Sequence, residues 1–549
     1  MVMVQTIQNS KVAIAVALLM GTLSVTASGQ TSPAPTDAGK TLDALKPTPR
    51  PLAPGKALTL PNDIRLKVDQ GGRTVKISAL RFTGNEGFSA QQLYAALEVP
   101  KLIAQPLDMA GLRQLTDSVT DWYRANGYPF AKAFLTAGSL KGEDLTITVV
   151  EGRYGKVEAL SDQPKVVEGA GQFLAGLKPG GPILTRSLER ATLLLNDLPG
   201  ISATPVMKPG ESVGLGDLNV VIEEDEKVTG HVSVDNSGSH YAGELRVLGG
   251  VSLNHNVVFG DQLSFLAQAP MQGNWLAAAH YSLPIGADGA RLKLSKAKTE
   301  YELKDEFEGF RGSADEQSVQ LSYPVLRSRQ RNVTVALTRK LKNLKDRRLT
   351  ELDEKKSRAT PVQVSFDARD DWFTGGITYG AFTWVRGDLS KPSSTERFQR
   401  WALDVSRVQR LGSTWTMSAH VFVQNAQTNL DSSEGFSLGG ASGVRAYPTG
   451  EASGDEGWLA QVEARKALGD AQLYVFYDHG RVQVDARPAQ VASPMGSLER
   501  AGLGLGVRGI RGPMNYDFAV AWRTRGGAPT TTAGDDSKPR LWFSAGYAF

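Results

Sequence analysis

The last ten residues of the chain, "RLWFSAGYAF" (Arg540–Phe549), alternate between two kinds of side chain. Every second residue from Leu541 to Phe549 is apolar or aromatic, while most of the residues between them are polar or small. Successive side chains of a β-strand point to opposite faces of its sheet. The pattern therefore predicts a strand with one apolar face.

The same alternation recurs upstream, in Leu245–Leu253, Trp415–Val423 and Phe518–Trp522. Segments of about ten alternating residues, divided by turns, are typical of a transmembrane β-barrel. A soluble β-sandwich also alternates and stays open as an alternative, but the aromatic last residue, Phe549, favours the barrel. At roughly 20 residues for each strand and its connection, residues 227–549 allow about 16 antiparallel strands.

The N-terminus has the features of an export signal, which we assign to residues 1–27. Lys11 precedes the apolar run Val12–Met20, and small residues lead to a cleavage position after Ala27. A short membrane anchor is the alternative, although the run is too short to span a bilayer. No other stretch reaches the roughly 18 apolar residues of a transmembrane helix. An exported chain of this kind is either soluble or crosses a membrane as a closed barrel.

Residues 28–73 are predicted to form a linker, with a possible short helix from Asp37 to Leu45. The segment is rich in proline, alanine, threonine and glycine, as in "KPTPRPLAPG". Such a composition cannot bury a core and is typical of a semi-rigid spacer.

Residues 74–226 contain two copies of one unit. Leu115, Trp122, Gly127, Leu145 and Ile147 recur 73 residues later as Leu188, Leu195, Gly200, Leu218 and Val220. In both copies apolar residues first follow helical spacing, a glycine then ends the helix, and alternating strands follow. The repeat predicts two small β-α-α-β-β domains, residues 74–152 and residues 153–226.

The composition argues against several classes of protein. The formal net charge is only +4 and 21% of the residues are charged, so no strong positive field indicates nucleic acid as a partner. The chain has no cysteine, which excludes disulfides, cysteine nucleophiles and cysteine zinc sites. None of the six histidines has the spacing of a metal site. We therefore expect no metal.

Two motifs match enzyme signatures without the structural context that those signatures need. Gly504-x-Gly506-x-x-Gly509 fits a dinucleotide fingerprint, which requires a helix directly after it. Here glycines alternate with apolar residues, which predicts a barrel strand with a bare inner wall. Gly435–Gly439 fits a nucleophile elbow, but a glycine-rich loop follows it instead of a helix. We therefore expect no enzymatic activity and no cofactor.

The stretch Arg339–Arg358 is densely charged and includes "KLKNLKDRRLTELDEKKSR". Outer-membrane barrels carry long external loops, so we predict that this stretch lies in a solvated loop. Binding of its basic residues to the phosphates of surface lipids is the alternative.

The stretch "GGASGVRAYPTGEASGDEG" (Gly439–Gly457) holds six glycines and a single cation, Arg445. Glycine permits backbone conformations with positive φ, so the stretch predicts a shaped loop that presents Arg445. Further on, "VFYDHG" (Val475–Gly480) alternates like a strand, with Asp478 on the same face as two aromatic residues. If the other face meets lipid, Asp478 points into the lumen and is a natural partner for Arg445. Two unrelated solvated charges are the alternative.

These two motifs resemble those of the outer-membrane transporters of two-partner secretion, also called TpsB-type or haemolysin-activator proteins. The matching residues are Val444, Arg445, Ala446 and Tyr447 in the loop, and Phe476, Asp478 and Gly480 in the strand. The resemblance implies a loop folded into the lumen, where Arg445 pairs with Asp478. Ala446 is a departure, because the wider superfamily often has glycine there. Relatives can carry a helix that plugs the lumen; residues 31–46 show no clear amphipathic helix, so the sequence leaves the presence of such a plug open.

The resemblance also implies a function. The two small domains would be periplasmic POTRA (polypeptide-transport-associated) domains that recognise the N-terminal secretion domain of a large exoprotein, of the haemolysin or adhesin type. The exoprotein would then cross the outer membrane through the lumen. We expect a monomeric barrel among outer-membrane lipids, with no nucleic acid as a partner. A barrel-assembly factor and a passive porin are the alternatives; the former usually has more POTRA repeats and the latter needs none.

Overall fold

The computed structural model describes residues 37–42, 48–55, 71–255, 257–270, 273–348, 351–491, 496–532 and 539–549. The predicted signal, residues 1–27, lies outside the described residues. Within the described ranges, no helix has the length and apolar character needed to cross a membrane. The first helix, α1 (Ala38–Thr41), is a single short turn.

A four-stranded sheet packed against helices forms the first small domain. Its elements are β1 (Ala79–Thr83), α2 (Ala90–Ala96), α3 (Val99–Leu102), α4 (Met109–Ala125), β2 (Lys132–Phe134), β3 (Leu140–Lys141) and β4 (Asp144–Val150). The central strand β4 runs parallel to β1 and antiparallel to β2 and β3. Leu115 and Val119 of α4 pack in one core with Leu145 and Ile147 of β4. The residues at helical spacing in the first repeat therefore form the face of α4 that covers the sheet.

The second small domain repeats this plan. Its elements are β5 (Arg153–Leu160), α5 (Pro164–Leu174), α6 (Thr185–Asn196), β6 (Ile201–Pro209) and β7 (Leu215–Glu224). The sheet order is β5-β7-β6, and β5 is parallel to β7. Leu188 and Leu195 of α6 share a buried core with Leu218 and Val220 of β7. These are the residues that the sequence repeat aligns with the core of the first domain.

Sixteen strands close into a barrel after the second domain. They are β8 (Val228–Asp235), β9 (Arg246–Asn254), β10 (Gln262–Pro270), β11 (Asn274–Ile285), β12 (Ala290–Glu302), β13 (Phe310–Arg327), β14 (Arg331–Arg348), β15 (Glu351–Asp370), β16 (Gly376–Ser390), β17 (Thr395–Arg410), β18 (Trp415–Ala426), β21 (Glu456–Leu468), β22 (Ala471–Gln483), β23 (Ser497–Arg511), β24 (Met514–Arg525) and β25 (Arg540–Ala548). Antiparallel pairing of β25 with β8 closes the ring. The predicted fold class, including the number of strands, is confirmed.

The alternation along each strand separates the outer wall from the lumen. On β22, Val475 and Tyr477 are exposed on the outer wall, whereas Phe476 and Asp478 are buried inside. On β25, Leu541 and Tyr547 are exposed, while Trp542 points inward. The motif Gly504-x-Gly506-x-x-Gly509 lies within β23, and no helix follows it.

The charged stretch Arg339–Arg358 is not a loop. It forms the far ends of β14 and β15, apart from residues 349 and 350, which lie outside the described ranges. The pairing of the two strands continues to the pair Arg348 and Glu351. The prediction of a solvated loop is wrong because both faces of this extended hairpin carry charges, which hides the alternation of a strand. Inward-facing Lys342, for example, is buried and bonded to Glu434.

The N-terminal segment enters the barrel, and part of the possible short helix from Asp37 to Leu45 is present there as α1 (Ala38–Thr41). Leu42 belongs to a buried cluster with Tyr301 and Leu344 of the inner wall. A Cβ atom on Gly39 would lie 2.5 Å from the Cβ atom of Ser433, so the backbone of α1 touches the loop that follows β18. Residues 37–42 therefore lie in the lumen, which settles for this part of the segment the question that the sequence left open. The buried contacts of Leu42, directly after α1, and the space between the wall and Ser433 together place this short helix.

Residues 48–55 then lie at the end of the barrel next to the small domains. The carbonyl oxygen of Leu52 accepts a hydrogen bond from Arg369 at 2.6 Å, and that of Ala53 accepts one from Arg327 at 2.9 Å. Arg327 also binds Asp197, directly after α6, at 2.7 Å. One arginine therefore joins the N-terminal segment, the second domain and the barrel.

Candidate functional site in the barrel lumen

The connection between β18 and β21, residues 427–455, folds back into the barrel; we call it the lumenal loop. A two-residue strand pair, β19 (Phe436–Ser437) and β20 (Ser453–Gly454), closes its base. At its tip the Val444 N–H donates to the carbonyl of Leu438 at 2.6 Å. A Cβ atom on Gly443 would lie only 1.9 Å from that carbonyl, so this tight turn admits only glycine.

Arg445 stands at the tip of the lumenal loop and contacts Asp478 on β22. Its Nε and Nη2 atoms donate to the two carboxylate oxygens at 2.8 and 2.6 Å, and its backbone N–H donates to the same carboxylate at 3.0 Å. Arg445 is 6% exposed and Asp478 is fully buried. This two-pronged contact fixes both the position and the orientation of the loop tip.

Glu463 on β21 is a second carboxylate on the same guanidinium, and the sequence analysis missed it. Nη1 of Arg445 donates to Glu463, whose other oxygen accepts from Arg465 at 2.8 Å. The ring of Phe476 lies beneath the guanidinium, 3.5 Å from ring centroid to Cζ. A cation over an aromatic face in a buried site gains further electrostatic stabilisation. Arg445 is thus held by two acids and one ring.

The neighbours of Arg445 fit the inner wall closely. Val444 and Tyr447 are fully buried, and the Tyr447 hydroxyl donates to the carbonyl of Arg525 at 2.7 Å. Ala446 packs on Gly502 of β23, where an added Cβ atom would lie 2.3 Å from the Ala446 methyl group. The departure from glycine at Ala446 is therefore accommodated by the missing side chain at Gly502.

Glycines on the inner wall make room for the motif residues. Gly504 of β23 faces the Phe476 ring, and a Cβ atom there would lie 2.3 Å from the ring. Gly480 of β22 lies against Leu438 of the lumenal loop, with 2.7 Å between its Cβ position and the leucine side chain. The bare wall predicted for β23 is the surface on which this packing occurs.

A second charged anchor, also missed by the sequence analysis, holds the far side of the loop. Glu451 is completely buried and accepts hydrogen bonds from Nε and Nη2 of Arg500 on β23, at 3.0 and 2.6 Å. Its other oxygen accepts from the backbone N–H groups of Thr530 and Thr531, at 2.9 and 3.1 Å. Glu451 therefore ties the lumenal loop to the connection between β24 and β25.

The start of the loop is bound to a different part of the inner wall. Glu434 accepts from Lys342 of β14 at 2.7 Å and from Nη2 of Arg400 on β17 at 2.9 Å. The loop thus extends inside the barrel from β14 and β17 at Glu434 to β21, β22 and β23 at Arg445 and Glu451. With α1 packed on Ser433, two segments of the chain lie inside the lumen.

Burial affects one carboxyl group of the loop, that of Asp455. Burial raises the pKa of Asp455 to about 6, against the opposing effect of hydrogen bonds from the backbone N–H groups of Ala486 and Leu430. Those bonds are 3.0 and 3.2 Å long. Asp455 therefore joins the end of the lumenal loop to the connection after β22.

Comparison with known proteins identifies the family. The model of the family described as haemolysin secretion/activation protein ShlB/FhaC/HecB matches residues 214–509, more than half of the chain. The chain belongs to this family. The model of the ShlB-type POTRA domain matches residues 75–152.

Individual relatives agree with this assignment. The chain is 26% identical over 403 residues to the heme/hemopexin transporter protein HuxB of Haemophilus influenzae strain 86-028NP, covering 69% of this chain and 71% of HuxB. It is 28% identical over 410 residues to the outer membrane transporter CdiB of Escherichia coli O6:K15:H31, covering 68% of this chain and 66% of CdiB. The solved structure of CdiB from Escherichia coli matches with a TM-score of 0.71 at 20% identity, over 93% of this chain and 95% of CdiB.

These findings confirm the predicted function and location. The chain is an outer-membrane transporter of two-partner secretion, which moves a partner exoprotein from the periplasm through the barrel. The POTRA domain that precedes the barrel lies in the periplasm, so the barrel end next to the small domains is the periplasmic end. Membership in this family decides against the two alternatives, a barrel-assembly factor and a passive porin.

The Glu451 anchor leads to a prediction about secretion. Glu451→Gln keeps the shape of the side chain but removes the charge that binds Arg500, and a hydrogen bond to a charged group contributes about 1.5–3 kcal/mol. We expect secretion of the partner exoprotein, normalised to folded barrel, to fall severalfold. The matched control is Glu499→Gln, which removes a carboxylate that binds His479 and Arg525 without touching the lumenal loop. If the two variants secrete the exoprotein equally well, Glu451 has no role in export.

Proposed function

We propose that the exoprotein passes through the lumen after the lumenal loop and residues 37–42 have been displaced from it. We further propose that the ion pair between Arg445 and Asp478 sets the resting position of the loop. The observation that carries this proposal is that two segments of the chain lie inside the lumen, where the exoprotein would pass. Glu434, Arg445 and Glu451 anchor the loop to separate strands of the wall, and α1 packs against the start of the loop. Side-chain contacts of this kind can be exchanged without breaking the backbone hydrogen bonds of the barrel.

The cargo in this proposal is a large secreted exoprotein of the haemolysin or adhesin type. The support is the family, since the relative HuxB is named a heme/hemopexin transporter and CdiB an outer membrane transporter. The barrel is proposed to act as a monomer among outer-membrane lipids. Its support is the closed ring of strands, which leaves no strand edge for a second copy to extend.

Recognition is proposed to occur by addition of a cargo strand to a free sheet edge of the POTRA domains. On the edge strands β1, β2 and β6, a backbone hydrogen-bonding group is already bonded or is absent. The backbone of Leu80 on β1 is bonded to the Tyr94 hydroxyl, and the Ala133 N–H on β2 donates to Thr120. Strand β6 contains Pro205 and Pro209, which have no N–H to donate.

The edge of β5 is the best candidate. The backbone of residues 153 and 154 is hydrogen-bonded to residues 180–182. Beyond them, β5 continues to Leu160 as an edge strand of its sheet. Leu160 is 39% exposed and offers an apolar contact at the open part of this edge. We therefore assign cargo binding to the second half of β5.

This assignment predicts a difference between two matched variants. Leu160→Asp on β5 should weaken binding of the cargo's secretion domain to purified residues 74–226 at least about tenfold, since a buried apolar contact is worth roughly 1.5–3 kcal/mol. Val206→Asp on β6, where the valine is 38% exposed, should bind like the unaltered domains. The two domains have separate buried cores, so this fragment is suited to titration. Undetectable binding of the unaltered domains at high micromolar concentration in low salt would contradict the proposal.

A further inference from the structure

On the outer wall, the neighbouring strands β14–β17 share a row of apolar and aromatic residues that runs across the strands, along the plane of the membrane. Leu337, Val362, Trp384 and Trp401 are successive register partners on these four neighbouring strands. Leu337 is 51% exposed, whereas the adjacent Ala336 is buried, so this row faces away from the lumen. Tryptophan at such a position is typical of the girdle where the hydrocarbon layer meets the lipid headgroups.

Arginines lie directly beyond this girdle, on the side away from the periplasmic domains. The next row toward the cell exterior holds Thr360 and Arg386, register partners on β15 and β16, and Arg339 of β14, whose side chain contacts Thr360. Arg358 lies two residues before Thr360 in the chain and on the same face of β15. All three arginines are exposed. With neighbouring strands about 4.8 Å apart and residues about 3.3 Å apart along a strand, the three Cα atoms lie within roughly 10 Å of one another.

These cations are not neutralised by the described parts of the protein. Arg339 donates to the Thr360 hydroxyl at 2.9 Å, and no described carboxylate lies within ion-pair distance of Arg339, Arg358 or Arg386. The nearest acid in register is Asp388, opposite Arg358, and it lies 3.8 Å from another arginine, Arg397. Four arginines and one aspartate leave a local excess of three positive charges.

We propose that Arg339, Arg358 and Arg386 form a binding site for the phosphate groups of a phosphorylated glycolipid in the outer leaflet. The outer leaflet of an outer membrane consists of such lipids, and their phosphates lie at the level just beyond an aromatic girdle. Guanidinium groups bind phosphate oxygens in pairs, whereas a lysine acts as a point charge. An acidic segment of the exoprotein fits the site less well, because the site faces the membrane and not the mouth of the barrel. The proposal rests on the outer-membrane location and not on the route of the cargo.

The test measures lipid binding to the full-length, detergent-purified protein. Native mass spectrometry counts bound lipid A that carries both phosphates, and the same lipid after removal of both. The unaltered protein should bind the phosphorylated form more tightly by at least about tenfold. The triple variant Arg339→Gln, Arg358→Gln and Arg386→Gln should bind that form about a hundredfold more weakly. Each basic residue near an anionic surface contributes about 1 kcal/mol. A difference of roughly 1.4 kcal/mol corresponds to a tenfold change in affinity.

The matched control removes the same charge at the opposite leaflet. Arg331, Arg410 and Arg511 are exposed at the periplasmic ends of β14, β17 and β23, and their replacement by glutamine should leave lipid A binding unchanged. Equal binding of the two lipid forms by the unaltered protein would overturn the proposal, and this comparison needs no variant to fold. Unchanged lipid binding by the triple variant, with or without a loss of secretion, would overturn it as well.

Discussion

Arg445→Ala and Asp478→Ala are each expected to reduce secretion of the partner exoprotein about tenfold or more, while the amount of folded barrel stays unchanged. Breaking a buried ion pair costs about 3–5 kcal/mol, whereas an exposed pair contributes roughly 0.2–1 kcal/mol. The burial of both partners places this pair near the first case. A change of that size displaces a loop, because 1.4 kcal/mol is a factor of ten in an equilibrium. The barrel itself persists through the backbone hydrogen bonds of its sixteen strands.

The double variant distinguishes a functional pair from two independent residues. Since both substitutions remove one interaction, the double variant should secrete about as poorly as the worse single variant. Arg445→Ala should be the more severe, because it also removes the contact with Glu463. Arg445→Lys should restore secretion only in part, since lysine lacks the planar fork that binds a carboxylate at two points. A double defect equal to the product of the single defects would contradict the pairing.

Breaking an ion pair elsewhere in the barrel supplies the control. Arg246 on β9 binds Asp235 on β8 at 2.8 Å and lies outside the lumenal loop. Arg246→Ala should therefore secrete normally for its amount of folded barrel. Folded barrel is quantified by its heat-dependent migration in gel electrophoresis.

Replacement of residues 37–42 by a glycine–serine sequence of equal length should raise the single-channel conductance in planar bilayers severalfold. The helix α1 occupies lumen space between the inner wall and the lumenal loop, and Leu42 holds it there through buried apolar contacts. Full burial of a leucine side chain is worth roughly 1.5–3 kcal/mol, so the unaltered segment stays in place most of the time.

A single substitution sharpens the test of α1. Gly39→Val places a side chain where a Cβ atom would already lie 2.5 Å from Ser433, so α1 should leave its position and the conductance should rise. Lys40→Val, at the adjacent half-buried position, is the matched control and should conduct like the unaltered protein. Unchanged conductance after replacement of all six residues would show that the lumenal loop closes the channel alone.

The sequence predicted the elements whose signals are local. The alternation in Arg540–Phe549 reflects a period of two residues that every strand must have, and the repeat in residues 74–226 reflects helix faces that cover a sheet. Arg445 and Asp478 could be paired because each is a lone charge in an otherwise uncharged motif, and because the family resemblance joins the two motifs.

The features that were missed depend on contacts distant in the chain. Glu463 is one of many inward-facing polar residues, and its role appears only when β21 and β22 lie side by side. Glu451 acts through Arg500, 49 residues away, and through a connection 79 residues away. The location of α1 depends on the volume left between the wall and the lumenal loop, which no local pattern encodes.

Passage of the exoprotein through the lumen is the central claim, and photo-cross-linking from two tyrosines of one strand tests it most directly. Tyr474 faces the lumen on β22, while Tyr477 is 40% exposed on the outer wall of the same strand. A photoreactive phenylalanine analogue replaces each in turn, and export of the exoprotein is stalled by a folded domain at its C-terminus. Cross-links to the stalled exoprotein should form from position 474 and not from position 477. Cross-links from position 477 alone, or from neither position to the stalled exoprotein, would contradict transport through the lumen.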